Sequence, residues 1–338
     1  MRIGLKWLSA GALAGGLALG VGATAHAQGY YEGKTVVMIL PHSDSGSFAR
    51  YGQLLAPAIA RHVKAKTVLI QHHSGAGGMV GSNLVWHAKP DGLTFGLTSG
   101  PALVLAQLGG AEGVQFDALK FTYLGRAALD DRLIFVGAKS PIKSVGDVVK
   151  LGRPLRVPSQ GVDEDFYGMA MLADVLGFSV RFITGYEGGG DTTLSVVRGD
   201  TDGRLTSWTT ALRLLKAGDI RAILSVGEAR RADHPDVPSA LELVHDPANK
   251  RTIQALINIQ RMHRSLFGPP GIPPAIAAEL RAGIMAALQD PEVVEAARKS
   301  NLPINPMDGA EQQKVVAEIY EASADIQRIL KSTTDSIK

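Results

Sequence analysis

The chain has 338 residues, 45% of them hydrophobic, and a formal charge of only +3. That balance argues against a strongly basic nucleic-acid binder, and the length predicts two domains of roughly 150 residues each. There is no cysteine, so the fold must rest on a core large enough to hold without disulfides, even in an oxidising compartment.

In chain order, the first predicted element is an export signal over residues 1–27. Arg2 and Lys6 form a basic start, Leu8 to Ala25 is small and apolar, and Ala25-His26-Ala27 fits an A-x-A cleavage site. A membrane anchor is the alternative. The Gly/Ala-rich stretch and the missing stop-transfer pattern favour cleavage after Ala27. Arg2 and Lys6 leave with the signal, so the formal charge of +3 falls to +1. Gln28 follows the site where a lipid anchor would need cysteine. A free periplasmic monomer without a nucleic-acid partner is expected.

Short apolar runs suited to buried strands follow at 36–40, 67–70, 93–97, 133–136, 180–183 and 220–226. Helical patterns alternate with them at 48–63, 80–88, 144–151, 166–176, 192–198 and 209–216. The alternation predicts α/β layers with largely parallel sheets. The last third changes character. A rigid Pro269-Pro270-Gly271-Ile272-Pro273-Pro274 turn precedes three helices at 275–288, 291–299 and 310–330, with Pro274 and Pro291 at first helical positions and Asp290 as an N-cap. These helices bring no strand of their own, so they are expected to return to the N-terminal sheet.

Two turns rich in Gly and Ser stand where strands give way to helices. The first is Pro41-His42-Ser43-Asp44-Ser45-Gly46-Ser47, and the second is Ser74-Gly75-Ala76-Gly77-Gly78. A strand that turns tightly into a helix aims free N–H groups and the positive end of the helix dipole at one spot, which suits a small carboxylate. Ser74 adds a hydroxyl, and the glycines permit close approach. The competing account of the second turn is tight strand–helix packing. Gly75-x-Gly77-x-x-x-Gly81 also approaches a dinucleotide fingerprint, but no acid ends the next strand to hold a ribose.

Further motifs follow in order. They are Asn83; Pro90-Asp91-Gly92; Gly185-Tyr186-Glu187-Gly188-Gly189; Arg198-Gly199-Asp200-Thr201-Asp202-Gly203-Arg204; Arg230; Pro235-Asp236-Val237-Pro238; and Glu242. With Gly75-Ala76-Gly77-Gly78 and the Gly268–Pro273 and Asp290-Pro291-Glu292-Val293 stretches, the chain resembles the solute-binding proteins of tripartite tricarboxylate transporters, the Bug or TctC family. Two places depart from that pattern. His42-Ser43 stand for a Gly-Gly and Gly46 for an Asp, and the loop from Ser159 to Asp165 carries three acids.

The resemblance implies a two-lobed, type II-like periplasmic binding protein with two mixed, mostly parallel sheets, helices on both faces and a ligand cleft between lobes. Residues 28–130 with 251–338 would form one lobe and 131–250 the other. It implies a small organic carboxylate as ligand, the membrane components of a tripartite transporter as partners, no cofactor and no catalysis. Family position directs Ser159, Gln160 and Gly161, and Tyr186, Gly188, Gly189 and Asp191, to the far wall of the cleft.

Several assignments stay open on the residues alone. Asp44 either caps the first helix or accepts from a ligand amine or water; Asp191 either caps its helix or faces the ligand. His42 donates to a carboxylate or sits at the surface. Trp208 either floors the cleft or belongs to the core. Asp163, Glu164 and Asp165 read as a solvated loop, with a cation or amine site as the alternative. Only Arg50 is near the first turns, so binding through amides, hydroxyls and water is expected rather than a guanidinium clamp. Two rival functions are an exported hydrolase using Ser45 or Ser47 with His42, and a ligand sensor for a membrane partner.

Overall fold

A computed structural model describes residues 29–321, 323 and 327–331; the predicted export signal lies outside the described residues. Strands β1 (Thr35–Leu40), β2 (Thr67–His72), β3 (Thr94–Thr98) and β4 (Thr122–Arg126) come first. The middle of the chain supplies β5 (Arg132–Gly137), β6 (Leu155–Pro158), β7 (Val180–Ile183), β8 (Gly203–Ser207) and β9 (Ile220–Val226). The end supplies β10 (Ser265–Gly268) and β11 (Met307–Asp308).

These strands form a six-stranded sheet ordered β11-β4-β10-β3-β1-β2, a three-stranded sheet β8-β5-β9 and a pair β6-β7. The large sheet is mixed, the three-stranded one antiparallel and the pair parallel. β1 runs parallel to β2 and β3, and β6 parallel to β7. β10 is antiparallel to β3 and β4, and β5 to β8 and β9. Antiparallel pairing is thus commoner than the apolar runs suggested. The strands that escaped notice carry buried polar side chains such as Arg126, Arg204, Thr206, Ser207 and Ser265, which interrupt an apolar run.

The large sheet is made from both ends of the chain and the smaller sheets from the middle. One face of the large sheet buries Val36, Met38 and Leu40 against Tyr51, Leu55 and Ile59 of the helix Ser47–His62, with Leu280 and Ile284 of the helix Pro274–Gln289. The closing helices therefore pack on the first sheet, although two short strands, β10 and β11, accompany them. Pro274 and Pro291 hold first helical positions and Asp290 accepts from Glu292 N at 2.9 Å. Three helices absent from the sequence reading, Gly100–Leu108, Ala240–Leu243 and Pro247–Gln260, complete the set. The first and last of them pack with Glu164–Leu176, and one apolar cluster with Leu103, Phe166, Leu172 and Leu256 runs continuously from one body to the other.

Candidate functional site

β1 and β2 are parallel and in register to their ends, with Leu40 opposite His72. The turns that follow therefore leave the same edge of the sheet side by side. A Cβ on Gly78 would stand 3.3 Å from the Pro41 carbonyl oxygen and 3.9 Å from the His42 ring. Two loops from the middle of the chain meet them. A Cβ on Gly161 would stand 3.3 Å from Gly77 N, and one on Gly188 3.7 Å from Ser43 Oγ. Four of the predicted segments thus converge.

In the first turn, Gly46 is the N-cap of Ser47–His62 at φ 94°, no side chain caps the helix, and no acid lies in its first turn. Asp44 is exposed and does not cap, because the cap position falls on glycine two residues later. Ser43 Oγ shares a hydrogen bond with Ser45 Oγ at 3.2 Å. His42 stacks on Phe48 at 4.0 Å and its Nε2 lies 3.0 Å from Thr98 Oγ1. Burial, reinforced by Arg264, pushes its pKa down to about 3, so it is neutral at physiological pH. His42 is therefore a neutral imidazole whose Nε2 is engaged with Thr98. The hydrolase pairing is not assembled either: His42 is bonded to Thr98, and Ser47 Oγ accepts from Arg264 at 3.0 Å.

The second turn has positive φ at Gly75, Ala76, Gly77 and Gly78. Gly78 N donates to Gly75 O at 2.9 Å, so that amide serves the turn itself. Ser74 is exposed. Gly77 is held against the opposite body, where a Cβ would come within 3.1 Å of the Val162 carbonyl and 3.2 Å of Asp163 Cβ. Its lack of a side chain is thus required by contact between loops.

On the opposite wall, Ser159 Oγ donates to Gly161 O at 2.7 Å and accepts from Gly161 N at 3.1 Å, which sets the turn. Ser159, Gln160, Asp163, Asp165 and Arg204 line a cavity of about 10 Å³ beneath it, room for one water. Tyr186 Oη bonds Ser195 Oγ at 2.8 Å. Gly188 is the N-cap of Gly189–Arg198, and Gly189 O accepts from Arg204 Nη1 at 2.8 Å. Asp191 is exposed inside the first turn and caps nothing, because the helix starts three residues earlier than its sequence suggests. Trp208 lies apart. It is 3% exposed in an apolar cluster with Leu133, Phe135 and Val237, near Arg231 and His234. It is a core residue because it opens a helix whose buried face points to β5 and β9 rather than to the loops.

Charges that the sequence reading left aside occupy the junction. Glu164 is 6% exposed; its carboxylate accepts from Ser99 Oγ, pairs with Arg132 Nη1 at 2.9 Å and lies 3.4 Å from His263 Nε2. Arg132 also meets Asp165, which Arg204 Nη2 reaches at 2.9 Å. Asp130, in the connection between β4 and β5, accepts from Arg264 Nη2 at 3.1 Å and from Thr209 N at 3.2 Å. Burial opposes ionisation of Glu164 and Asp130, but the neighbouring guanidinium groups and hydrogen bonds outweigh it and hold both carboxyls low. Burial lowers Arg204 to about 10 and also keeps His263 down.

The three acids are therefore no solvated loop. Arg50, the one arginine singled out from the sequence, points away and donates to Ser300 O at 3.2 Å. Arg132 and Arg264 were missed because they lie far from the glycine turns in sequence, and Arg204 stood out only as the end of a motif. A usable signal existed in Arg132 heading an otherwise apolar strand run. Such a charge must find a partner when buried.

Asp163 caps Glu164–Leu176 by accepting from Phe166 N at 2.9 Å. Burial pushes its carboxyl up to about 6 against an ordinary 3.8. The folded form thus holds its proton more tightly, and stability falls as pH rises through that window. Asp163→Asn keeps a capping side chain without the charge. It is expected to gain about 1–2 kcal/mol at pH 8 and nothing at pH 4, measured by urea unfolding at both values. Equal effects at the two pH values would contradict this.

A family model described as the tripartite tricarboxylate transporter family receptor matches residues 54–333. The UPF0065 protein of the tcbD–tcbE intergenic region in Pseudomonas sp. strain P51 is 23% identical over 300 residues, covering 87% of this chain and 84% of its own. The periplasmic binding protein BugD superposes with a TM-score of 0.71 at 18% identity, over 90% of this chain and 98% of its own. MatC from Rhodopseudomonas palustris, solved with bound malate, gives 0.69 at 21% identity over 89% and 99%. The fold is the two-lobed one of periplasmic binding proteins. No helix among the described residues is long and apolar enough to cross a membrane. The chain belongs to the family of tripartite tricarboxylate transporter receptors, which bind solutes and are not enzymes.

Proposed function

We propose that this receptor captures a small organic carboxylate in the periplasm, between a lobe of residues 28–130 with 251–338 and a lobe of residues 131–250, and presents it to the membrane components of a tripartite transporter. In this reading the chain is exported, cleaved after Ala27, and works as a monomer without a cofactor or nucleic acid. The observation that carries it is the meeting of two turns, Pro41–Ser47 and Ser74–Gly78, at one sheet edge opposite Ser159–Gly161 and Gly188–Gly189. The uncapped N-terminus of Ser47–His62 attracts an anion. A fold shared with a malate-bound protein supports the ligand class. Closure on the solute follows from preferential binding to the closed form.

Thermal unfolding with a panel of di-, tri- and aromatic carboxylates tests the proposal. A true ligand at a hundredfold over its Kd is expected to add about 2.7 kcal/mol of stability. A flat response across the panel sinks it. Mass spectrometry of what co-purifies would then identify another solute class.

A further inference from the structure

The first loop holds a feature that its amides do not account for. Arg264 lies between the helix Pro247–Gln260 and β10, and is 1% exposed. Its backbone stands at φ 57°, a left-handed conformation that costs a non-glycine residue about 1–2 kcal/mol. Such a residue persists only where its surroundings demand it. The guanidinium carbon is 4.1 Å from the Phe48 ring centre and 4.8 Å from that of Tyr51, so aromatic rings cover its face and its edges are left for hydrogen bonding. Nη2 donates to Ser47 Oγ at 3.0 Å and to Asp130 Oδ2 at 3.1 Å. Nε and Nη1 have no hydrogen-bond partner among the described residues.

The charges around it do not balance. Ser47 is the first residue of a 16-residue helix whose start has neither a capping side chain nor an acid. A buried cation here adds to the positive end of the helix dipole, about half an elementary charge. His42 and His263 face the same group, the first against Phe48 in parallel and the second at its edge, 5.8 Å away. Glu164, on the far side of His263, is already committed to Arg132 and Ser99. Among the described residues, Asp130 is the acid paired with Arg264, and it must offset the helix end as well. Buried donors of a charged group left without acceptors are costly, and a planar anion is the group that would satisfy them.

We propose that Arg264 is the specificity-determining anchor of this receptor, taking one carboxylate of the solute on its unpartnered Nε and Nη1 donors beside the N-terminus of Ser47–His62. This rests on the carboxylate-receptor reading above and deepens it. The solute would be held by a direct guanidinium contact, and acids would be chosen over their neutral analogues on that account. Asp130, which fixes Arg264 and also holds the start of the helix Trp208–Ala217 through Thr209 N, is a positioning residue. It ties the anchor to the connection between the lobes.

The test is calorimetric titration of the full mature chain with succinate, malate, citrate, adipate and benzoate, and with succinamide and adipamide as neutral counterparts. Wild type, Arg264→Gln and the double variant Arg264→Gln/Asp130→Asn are compared. The double variant removes both members of the buried pair, so no lone charge is left to unfold the protein. Any acid that wild type binds is expected to bind about 10- to 100-fold more weakly to both variants, with the preference for acid over amide lost. Retained affinity, or a preference for acid that survives in the variants, overturns the assignment of Arg264 and leaves the receptor reading standing. Failure of wild type to bind any acid defeats both. A crystal structure of wild type with the tightest acid decides independently of either variant. A carboxylate oxygen within about 3.2 Å of Arg264 Nε or Nη1 supports the proposal, and a carboxylate held elsewhere refutes it.

Discussion

Glu164→Ala is expected to lower stability by about 3 kcal/mol at pH 7, the lower end of what removing one partner of a buried ion pair costs, because Arg132 keeps Asp165. The same change leaves Ser99 Oγ without its acceptor and takes the carboxylate from beside His263. The effect carries a pH signature. The folded-state pKa of Glu164 is held below the ordinary carboxylate range, so its contribution is present above the unfolded pKa and is lost as pH falls through the folded one. The penalty should therefore be complete at neutral pH and shrink progressively below about pH 4. Urea unfolding of wild type and variant across that range measures it. A loss under about 1 kcal/mol at pH 7, or a penalty constant down to pH 2, would mean that the carboxylate is not paired as described.

Gly77→Val is expected to weaken capture of whichever acid scores in the thermal screen by about 100-fold. Two costs combine. A β-branched residue at φ 66° adopts a backbone it disfavours by about 1–2 kcal/mol. Its side chain would then be driven into the Val162 carbonyl, only 3.1 Å from the Cβ position, adding an overpacking cost of about 1–3 kcal/mol. Because Val162 belongs to the opposite wall, the second cost falls on the closed form. Small-angle scattering with saturating acid should show Gly77→Val more extended than wild type. Gly77→Ala carries the strain and the Cβ contact but not the two γ-methyls, so it separates the cost of the methyls from the rest. Unchanged affinity in Gly77→Val would show that closure does not press the two loops together.

The sequence exposed the parts of this molecule that follow from local rules. Continuous apolar runs such as β1 and residues 133–136 of β5, proline-led helices such as Pro291–Lys299, and the glycine turns at 46 and 75–78 could be found because each obeys its own pattern. β4, β8 and β10 could not, since each buries polar residues whose partners lie far along the chain. Arg126, for example, donates to the carbonyls of Arg261 and Asn305. The same limit applies at the site. The glycine turns were visible, while Arg132, Arg204 and Arg264 reach them only through the fold. Asp163-Glu164-Asp165 resembles a hydrated acidic run until Arg132 and Arg204 are placed around it. Trp208 shows the converse: cleft floor and core were both open on the residues alone, and its helix turns the ring into the core.

The position of β10 bears on how the chain reaches its final form. This strand fills the middle of the large sheet, with Phe267 opposite both Gly96 and Tyr123. Until it is in place, β3 and β4 each present an open edge, and the first half of the polypeptide is an incomplete layer with nothing to seal it. Closing that gap joins residues far apart along the backbone, a slow step on loop-entropy grounds. Folding of the first sheet must therefore wait for residues near the far end. A nascent chain released early stays loose until residues 265–268 arrive to close the sheet.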